Sequence, residues 1–542
     1  MQLLERLIEN WLDSASERSF QPIFCQALVN QGYQILHSTR HNAQEHGKDV
    51  IAMNPEGELC AFQLKGHPRK RLGLAQYNTE IVHQINALAN LPVDFPGLSD
   101  KRHKSYFVTN GQIDEVVWQA IRLAHLGNDQ DHRSHRNVTF LTRGDILKMF
   151  LDLDVSLWPS EVEDSKLLLE IITHNGDELY PIEKFHEILA GLLRLKEDSV
   201  SPNQEELNRI FASAALLTGI CLGPFEKTRN YWASCCAWSV LGVYIIAAEE
   251  RWQIKTRQSE FLLNTVKDVI FSKLELLSQE VISRKNRSMG EGDMFSDYFI
   301  VNWRHTLLKS IVSYYTVVTV AEETDSKSDF HLPLKEFIFD KSYQMDVWGE
   351  AALPGMLFYN WALMQNGEIS AANQLAIQIF KLCAESALPA IYYSAEQIMR
   401  HRLSNTLTSF VPSINEQALG FKNSWFGRQA FFNMVNLDMA DDCDDLWTDY
   451  CQSRFTEFIP ATKWGYCLYR TDEGTNIGHI VPESQKWVDL RNFDQKSPDH
   501  IVPGALAKET WLLGLWIMIC PNRAVTPVTN YLFRELIARE GP

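Results

Sequence analysis

The first third of the chain alternates between apolar residues at helical spacing and short apolar runs. In residues 19–36, Phe20, Phe24 and Leu28 follow one another at intervals of four, which places them on one face of a helix. Gly32 is typical of a helix end, and the run at 33–36 that follows it has the composition of a strand. This stretch predicts a helix followed directly by a strand.

A hairpin is predicted next along the chain. Residues 49–53 and 58–65 form apolar and β-branched runs, and the segment between them, 54–57, has the Asn-Pro-Glu-Gly composition of a type I turn. Side chains alternate along a strand. One face of the second run is therefore expected to carry Cys60, Phe62 and Leu64, and the other Ala61, Gln63 and Lys65. Folding back about the turn sets Asp49 beside Phe62 and Gln63.

Helical spacing dominates the remainder of the sequence. A helix is predicted at about 74–90, residues 104–122 read as a strand, an Asn-Gly turn and an amphipathic helix, and residues 137–151 repeat that pattern. After a junction at 158–165, nearly everything to residue 540 reads as helix. Examples are the segments 205–222, 231–251, 261–283, 299–321, 371–387 and 510–519. This region is expected to be all-α, with no repeat of fixed period.

The hairpin brings together a carboxylate, an amide and an ammonium. Carboxylate and amide oxygens, as in Asp49 and Gln63, are the hard ligands that Mg²⁺ prefers. An ammonium such as Lys65 can offset the charge that develops when a phosphodiester is attacked. This combination suits metal-assisted phosphodiester hydrolysis. The alternative is a surface ribbon with a salt bridge between Asp49 and Lys65.

Several short stretches in one order carry a resemblance. They are the F…GY helix, G-K-D, Q-L-K, F-V-T-N-G and L-T-R-G-D-I-L. Over about residues 1–155 the sequence resembles the PD-(D/E)xK nuclease fold, in particular the Mrr-like branch of restriction endonucleases. The resemblance implies an α/β restriction-endonuclease-like N-terminal domain with an α-β-β-β-α-β core. It also implies Mg²⁺ or Mn²⁺ as cofactor, DNA as substrate, and a role in prokaryotic restriction or antiviral defence.

The sequence departs from that family at its acids. Such nucleases usually add an acid from the first helix, and Gln21 occupies that position here. Glu17 lies one helical turn earlier and is expected to face a similar way. The candidate catalytic residues are therefore Asp49, Gln63, Lys65, Glu17 and Gln21, and the candidate metal ligands are Asp49, Gln63 and Glu17. Without a second carboxylate, metal affinity should be poor.

Charge is distributed unevenly along the chain. The formal net charge is −17, yet residues 1–150 hold 16 basic and 16 acidic side chains, so the excess acid lies beyond them. The basic residues of the first segment form two groups. The expected nucleic-acid contacts are His67, Arg69, Lys70 and Arg71 after the Q-L-K stretch, with Lys101, Arg102 and Lys104 further on. Basic groups beside a metal site are where a phosphate backbone would lie, whereas a basic loop on its own is often just solvated.

Two apolar segments and ten cysteines bear on the compartment. Residues 211–225 and 231–248 are long runs without internal charge, which we interpret as core helices rather than membrane spans. The cysteines form no C-x-x-C pair, and the N-terminus does not have the pattern of a signal peptide. The sequence therefore predicts free thiols in a cytoplasmic protein without a membrane partner.

Two functions are compatible with these patterns. The first is a metal-dependent DNA endonuclease, in which the C-terminal helical region senses, assembles or restrains the nuclease through a protein partner or self-association. The second is a catalytically decayed nucleic-acid-binding or scaffold protein that acts through its acidic helical region. The expected domains are a nuclease domain at 1–157, a helical domain at 158–325 and a second helical domain, or a continuation of the array, at 326–542.

Overall fold

A mixed sheet of five strands organises the N-terminal third of the chain, in a computed structural model of the protein. The described residues are 3–38, 48–67, 71–93, 102–126, 138–153, 162–196, 199–283, 298–322, 331–339, 349–384, 423–470, 477–480, 486–492 and 498–538. The strands of this region are β1 (Gln34–Ser38), β2 (Val50–Met53), β3 (Leu59–Lys65), β4 (Arg71–Leu72), β5 (His103–Thr109), β6 (Gln112–Ile113) and β7 (Val138–Leu141). The sheet has the order β1-β2-β3-β5-β7, and β4 pairs with β6 separately.

The predicted hairpin is confirmed. Strands β2 and β3 pair antiparallel with Val50 opposite Phe62. In the turn, the Gly57 N–H donates to the Asn54 carbonyl at 2.9 Å, and Gly57 adopts a φ of +79°, which glycine tolerates without a steric penalty. Strands β3, β5 and β7 are parallel to one another, so their carboxyl ends meet at one edge of the sheet.

Helices cover both faces of this sheet in the predicted order. They are α1 (Leu3–Ser14), α2 (Glu17–Asn30), α3 (Leu74–Gln76), a π-helical turn (Tyr77–Ile81), α4 (Val82–Asn90), α5 (Glu115–Leu126) and α6 (Arg143–Leu151). One face packs against α1, α2 and α6, and the other against α4 and α5. The predicted element order of residues 17–151 is therefore confirmed.

The remainder of the chain is mostly helical. Its helices are α7 (Val162–Ile172), α8 (Ile182–Leu192), α9 (Gln204–Lys227), α10 (Tyr231–Trp252), α11 (Arg257–Ser283), α12 (Tyr298–Glu322), α13 (His331–Phe339), α14 (Leu353–Gln365), α15 (Ile369–Ala384), α16 (Gly427–Asn436), α17 (Ala440–Gln452), α18 (Lys463–Tyr466), α19 (Gly504–Lys508), α20 (Thr510–Ile519) and α21 (Thr526–Leu536). Short 3₁₀ turns lie at Glu350–Ala352, Trp487–Asn492, Pro498–His500 and Pro521–Arg523.

The expectation of an all-α region is wrong in one respect. Three short strands, β8 (Asn423–Ser424), β9 (Arg454–Phe458) and β10 (Ile477–Ile480), form a second sheet in the order β10-β9-β8. Strand β9 pairs antiparallel with β10 and parallel with β8. Such short strands within helical sequence carry too few alternating positions to be separated from loops by periodicity.

The chain divides into two compact units, and α10 contributes residues to both of them. The first unit comprises residues 1–241 and 252–272, and the second comprises 242–251 and 273–542. Within the first unit, Leu216 and Ile220 of α9 belong to the same buried core as Trp11 and Ile23. Helix α9 thus completes the α2 side of the sheet's core. The domain boundaries predicted at 157 and 325 are statements about which parts of the chain fold independently. They stay predictions.

Among the described residues, two helices are long and apolar enough to cross a membrane by length and composition alone. These are α9 and α10, and 78% and 89% of their most apolar windows are buried within the protein. Burial of this extent is also found in core helices of large helical proteins. The expectation that no membrane is involved stays a prediction.

Candidate functional site

The candidate site lies where β3 and β5 end. Lys65, the last residue of β3, is paired with Thr109, the last residue of β5. Asp49 precedes β2, which runs antiparallel to β3, and its N–H donates to the Phe62 carbonyl at 2.8 Å. The hairpin therefore delivers Asp49, Gln63 and Lys65 to one edge of the sheet, at the carboxyl ends of parallel strands, which is where open α/β sheets bind ligands.

Asp49 and Gln63 form a buried pair. The Oδ2 atom of Asp49 accepts hydrogen bonds from Gln63 Nε2 at 2.7 Å and from the Leu64 N–H at 2.6 Å. The two residues are 7% and 5% exposed. The sequence predicted that the carboxylate, the amide oxygen and the ammonium would converge, whereas the amide nitrogen of Gln63 is the atom that contacts Asp49. Within the described part of the chain, the buried Gln63 Oε1 has no hydrogen-bond partner.

Lys65 is paired with an acid that the sequence interpretation missed. Its Nζ atom lies 3.2 Å from Oε1 of Glu80, which sits in the π-helical turn between α3 and α4. Burial acts to raise the pKa of Glu80, but the hydrogen bond and charge of Lys65 outweigh it, so this pKa lies below its ordinary value. The sequence did contain one signal for this pairing, since Glu80 lies in the helix predicted at about 74–90. The orientation of that helix relative to the site was not predicted, so Glu80 could not be assigned to it.

Glu17 approaches the site from the first residue of α2. Its Oε2 atom accepts a hydrogen bond from the Gly66 N–H at 3.3 Å, directly after Lys65. Ser16 caps this helix, because its Oγ accepts from the Ser19 N–H at 3.3 Å. Helix α2 therefore begins beside the end of β3, and Glu17 lies near the residues it was expected to join.

Gln21 has a different environment. It is 5% exposed, and its Nε2 atom donates to Ser38 Oγ at 3.0 Å. This contact links α2 to the end of β1. The Gln21 amide thus helps to pack the helix against the sheet. The sequence had predicted a catalytic role for this residue.

A second lysine lies next to Asp49. Lys48 is 2% exposed, and within the described part of the chain its Nζ atom has no hydrogen-bond partner. Burial lowers its pKa to about 8. Burial lowers the pKa of His103, the hydrogen bond of that ring with the Leu88 carbonyl opposes this shift, and the charge of Lys48 lowers the pKa further. Lys48 is thus a buried lysine, next to Asp49 in the sequence, to which the sequence interpretation gave no role.

The two predicted basic groups do not lie together. Lys104 of β5 is paired with Cys60 of β3, whereas Lys65 of β3 is paired with Thr109 of β5. The two pairs are five residues apart, which is about 17 Å along the strands. Lys104 forms an ion pair with Glu58. Arg102 precedes Lys104 at the same far end and is exposed. The parallel register therefore places the start of β5, and this second group, at the opposite edge of the sheet from the candidate site. Its contact with nucleic acid stays a prediction.

The first basic group is only partly exposed. His67 is 6% exposed, its N–H donates to Asn110 Oδ1 at 2.8 Å, and its ring approaches Thr109 Oγ1 at 3.3 Å. It therefore contacts the end of β5 and is largely buried, and its contact with nucleic acid stays a prediction. Arg71 is exposed at the site's edge, where its Nε donates to Gln112 Oε1 at 3.1 Å. Arg69, Lys70 and Lys101 lie outside the described residues.

Hard oxygen ligands are present, but they are few. The edge offers the carboxylates of Asp49, Glu17 and Glu80 and, without a hydrogen-bond partner among the described residues, Gln63 Oε1. Among the described residues no group of three or more His, Cys, Asp or Glu side chains is arranged to hold a metal ion. This set fits a Mg²⁺ or Mn²⁺ ion that is held by one or two carboxylates and completed by water and a substrate phosphate. It does not fit a closed structural metal site.

Comparison of the chain with protein-family models, with curated proteins and with solved structures gave no match. The candidate site therefore rests on the residues and their geometry.

Proposed function

We propose that this protein is a metal-dependent endonuclease with a restriction-endonuclease-like N-terminal domain, acting on DNA in prokaryotic defence. One observation carries the proposal. The sequence places Asp49, Gln63 and Lys65 on one face of a hairpin, and the contact between Asp49 and Gln63 supports that arrangement. A buried acid and an ammonium at a strand-end edge suit attack on a phosphodiester.

Each residue has a distinct task in the proposed reaction. Asp49 binds the metal ion, and the Leu64 N–H and Gln63 hold its carboxylate in place. Lys65 offsets the negative charge that develops on the phosphate oxygens when water attacks phosphorus and the ester oxygen leaves. A bound Mg²⁺ or Mn²⁺ would lower the pKa of a coordinated water and polarise the phosphate.

The structure also offers support for the second function, a nucleic-acid-binding or scaffold protein with a decayed site. Gln63 turns its amide nitrogen toward Asp49, and Gln21 is engaged with Ser38 where the family usually has an acid. The acidic helical region would then act through a protein partner or by self-association. This candidate predicts binding of DNA without cleavage.

A nicking assay with the full chain separates the two functions. Supercoiled plasmid is incubated with Mg²⁺ or Mn²⁺ and with the wild type, Asp49→Asn or Lys65→Met. The matched controls are Asp152→Asn and Lys104→Met. Asp152 is exposed, and Lys104 forms an ion pair with a glutamate at the far end of the same sheet. We expect both site variants to lose at least ~10²-fold in rate and both controls to retain it. Plasmid that is shifted in a gel but never nicked by the wild type would favour the second function.

A further inference from the structure

We propose that Glu80 supplies the second carboxylate of the metal site, in place of the acids that the sequence lacks at Gln63 and Gln21. This inference rests on the proposed function and deepens it. The proposed ligands are Asp49 and Glu80, and the ligand they take is a divalent cation of the Mg²⁺ or Mn²⁺ class.

The first support is the position of Glu80. Gln63 and Lys65 are two residues apart on β3, so their side chains leave the same face of the sheet. Gln63 contacts Asp49 on that face, and Lys65 contacts Glu80 at 3.2 Å. The two carboxylates therefore flank the same pair of side chains at the end of one strand.

The second support is the amide oxygen of Gln63. The residue is 5% exposed, and within the described part of the chain its Oε1 atom has no hydrogen-bond partner, which is unfavourable for a buried amide oxygen. A cation at this edge would supply a partner.

The third support is the helical geometry around Glu80. The Val82 N–H bonds to the Tyr77 carbonyl, five residues earlier, which widens the helix into a π turn. Tyr77 and Ile81 are buried in the core below the helix, while Glu80, in the same turn, contacts Lys65. Such turns are frequent at functional sites, because they re-aim one side chain without breaking a helix.

The fourth support is the exposure of the Glu80 carboxylate. Its side chain is 45% exposed, so that lone pairs stay accessible although Oε1 contacts Lys65 and Gln76 Nε2 approaches Oε2 at 3.5 Å. An incoming cation would compete with the Lys65 ammonium for this carboxylate.

The competing interpretation is that Glu80 serves only as the charge partner of Lys65. The two roles differ in what they do to metal binding in the absence of DNA. As a ligand, Glu80 strengthens metal binding directly, and removal of Lys65 leaves the metal bound at least as tightly. As a charge partner alone, Glu80 affects turnover through Lys65 and leaves metal binding unchanged.

The test is Mn²⁺ binding to the full-length protein without DNA, measured by electron paramagnetic resonance of free Mn²⁺. The variants are Glu80→Gln, Asp49→Asn and Lys65→Met, with Glu58→Gln as the matched control because Glu58 also pairs with a lysine of this sheet. We expect Glu80→Gln and Asp49→Asn each to weaken Mn²⁺ binding by roughly 10- to 100-fold. Lys65→Met and Glu58→Gln should bind Mn²⁺ no more weakly than the wild type.

Two outcomes contradict the inference in different ways. If Asp49→Asn weakens Mn²⁺ binding but Glu80→Gln does not, Glu80 is only the charge partner of Lys65, and the proposed function stands without it. If neither variant changes Mn²⁺ binding, the metal site itself is absent, and the proposed function falls together with this inference.

Discussion

Gly66 lies so close to Glu17 that a β-carbon on Gly66 would come within 2.4 Å of the Glu17 backbone nitrogen. The same two residues are joined by the hydrogen bond from the Gly66 N–H to Glu17 Oε2. The end of β3 therefore packs directly against the first turn of α2. Because Lys65 precedes Gly66, this close approach fixes the position of the candidate site relative to the helix.

Gly66→Ala is expected to destabilise the protein by about 1 to 3 kcal/mol, because backbone atoms, unlike the end of a flexible side chain, cannot move aside cheaply. Gly144→Ala is the control, since a β-carbon at Gly144 meets no atom within 4 Å and alanine favours a helix. Urea unfolding of both variants measures the difference. Equal stability of the two variants would show that α2 can withdraw from β3 without cost.

The chain's local patterns predicted more of the fold than of the site. The hairpin followed from alternation and turn chemistry, both of which act over a few residues. The position of Glu80 did not follow, because a π turn breaks the 3.6-residue period on which helical faces are read. The burial of His67 also escaped prediction, since its partner Asn110 is distant in sequence and is itself held by the carbonyls of Leu12 and Ala15.

The start of β5 illustrates a second limit. Composition identified Lys104 and its neighbours as a second basic group but did not locate it, and the parallel register of β5 with β3 places it at the opposite edge of the sheet. Helix α9 gives a third example. Its apolar sequence predicted burial correctly, yet apolar residues do not specify a partner, and its packing against α2 depends on contacts that no local pattern encodes.

A fragment that ends at residue 157 is expected to be destabilised. The fragment would lack α9, whose Ala212, Leu216 and Ile220 belong to the core on the α2 side of the sheet. The apolar side chains of that core would then be exposed to water. Its binding of a hydrophobic dye and its thermal unfolding can be compared with those of the full chain. A cooperative transition without dye binding would mean that the sheet and its first six helices fold on their own, as the predicted boundary at 157 requires.

Lys48→Met is expected to stabilise the protein by about 1 to 3 kcal/mol at pH 7, because a buried ammonium, which has no hydrogen bond to the described residues, is replaced by an apolar side chain of similar length. Lys148→Met, at an exposed position of α6, is the control and should have little effect. Chemical denaturation gives both values. A destabilised variant would contradict this account and indicate that the ammonium has a stabilising interaction after all.

Glu350 makes the stability of the second unit depend on pH. Burial raises its pKa to about 7, although its Oε2 accepts hydrogen bonds from the Trp425 and Phe426 N–H groups at 2.9 and 3.1 Å. The folded state therefore binds this proton more tightly than the unfolded state. The stability that the group contributes is fully present below the unfolded pKa of 4.5 and is lost as pH rises through about 7.

Glu350→Gln should remove this dependence. The variant is expected to gain up to about 3 kcal/mol relative to the wild type between pH 4.5 and pH 8, since one pKa unit corresponds to about 1.4 kcal/mol. Unfolding is followed by urea titration at several pH values, with the exposed Glu368→Gln as control. Parallel pH profiles for wild type and Glu350→Gln would mean that the carboxyl stays ionised in the fold.

The separation of the two basic groups leads to a prediction about DNA. Arg71 is exposed at the edge that carries Lys65, whereas Arg102 is exposed near the start of β5, at the opposite edge. If duplex DNA approaches the candidate site, only the first of these arginines can lie near its phosphates.

Each lost phosphate contact should lower the slope of log K against log salt by about 0.9. Arg71→Ala is therefore expected to flatten that slope in the full-length protein, and Arg102→Ala is expected to leave it unchanged. Fluorescence anisotropy with one labelled duplex at several salt concentrations measures both. An effect of Arg102→Ala equal to that of Arg71→Ala would show that the duplex does not bind at the Lys65 edge, and the candidate site would then have to be sought elsewhere on the chain.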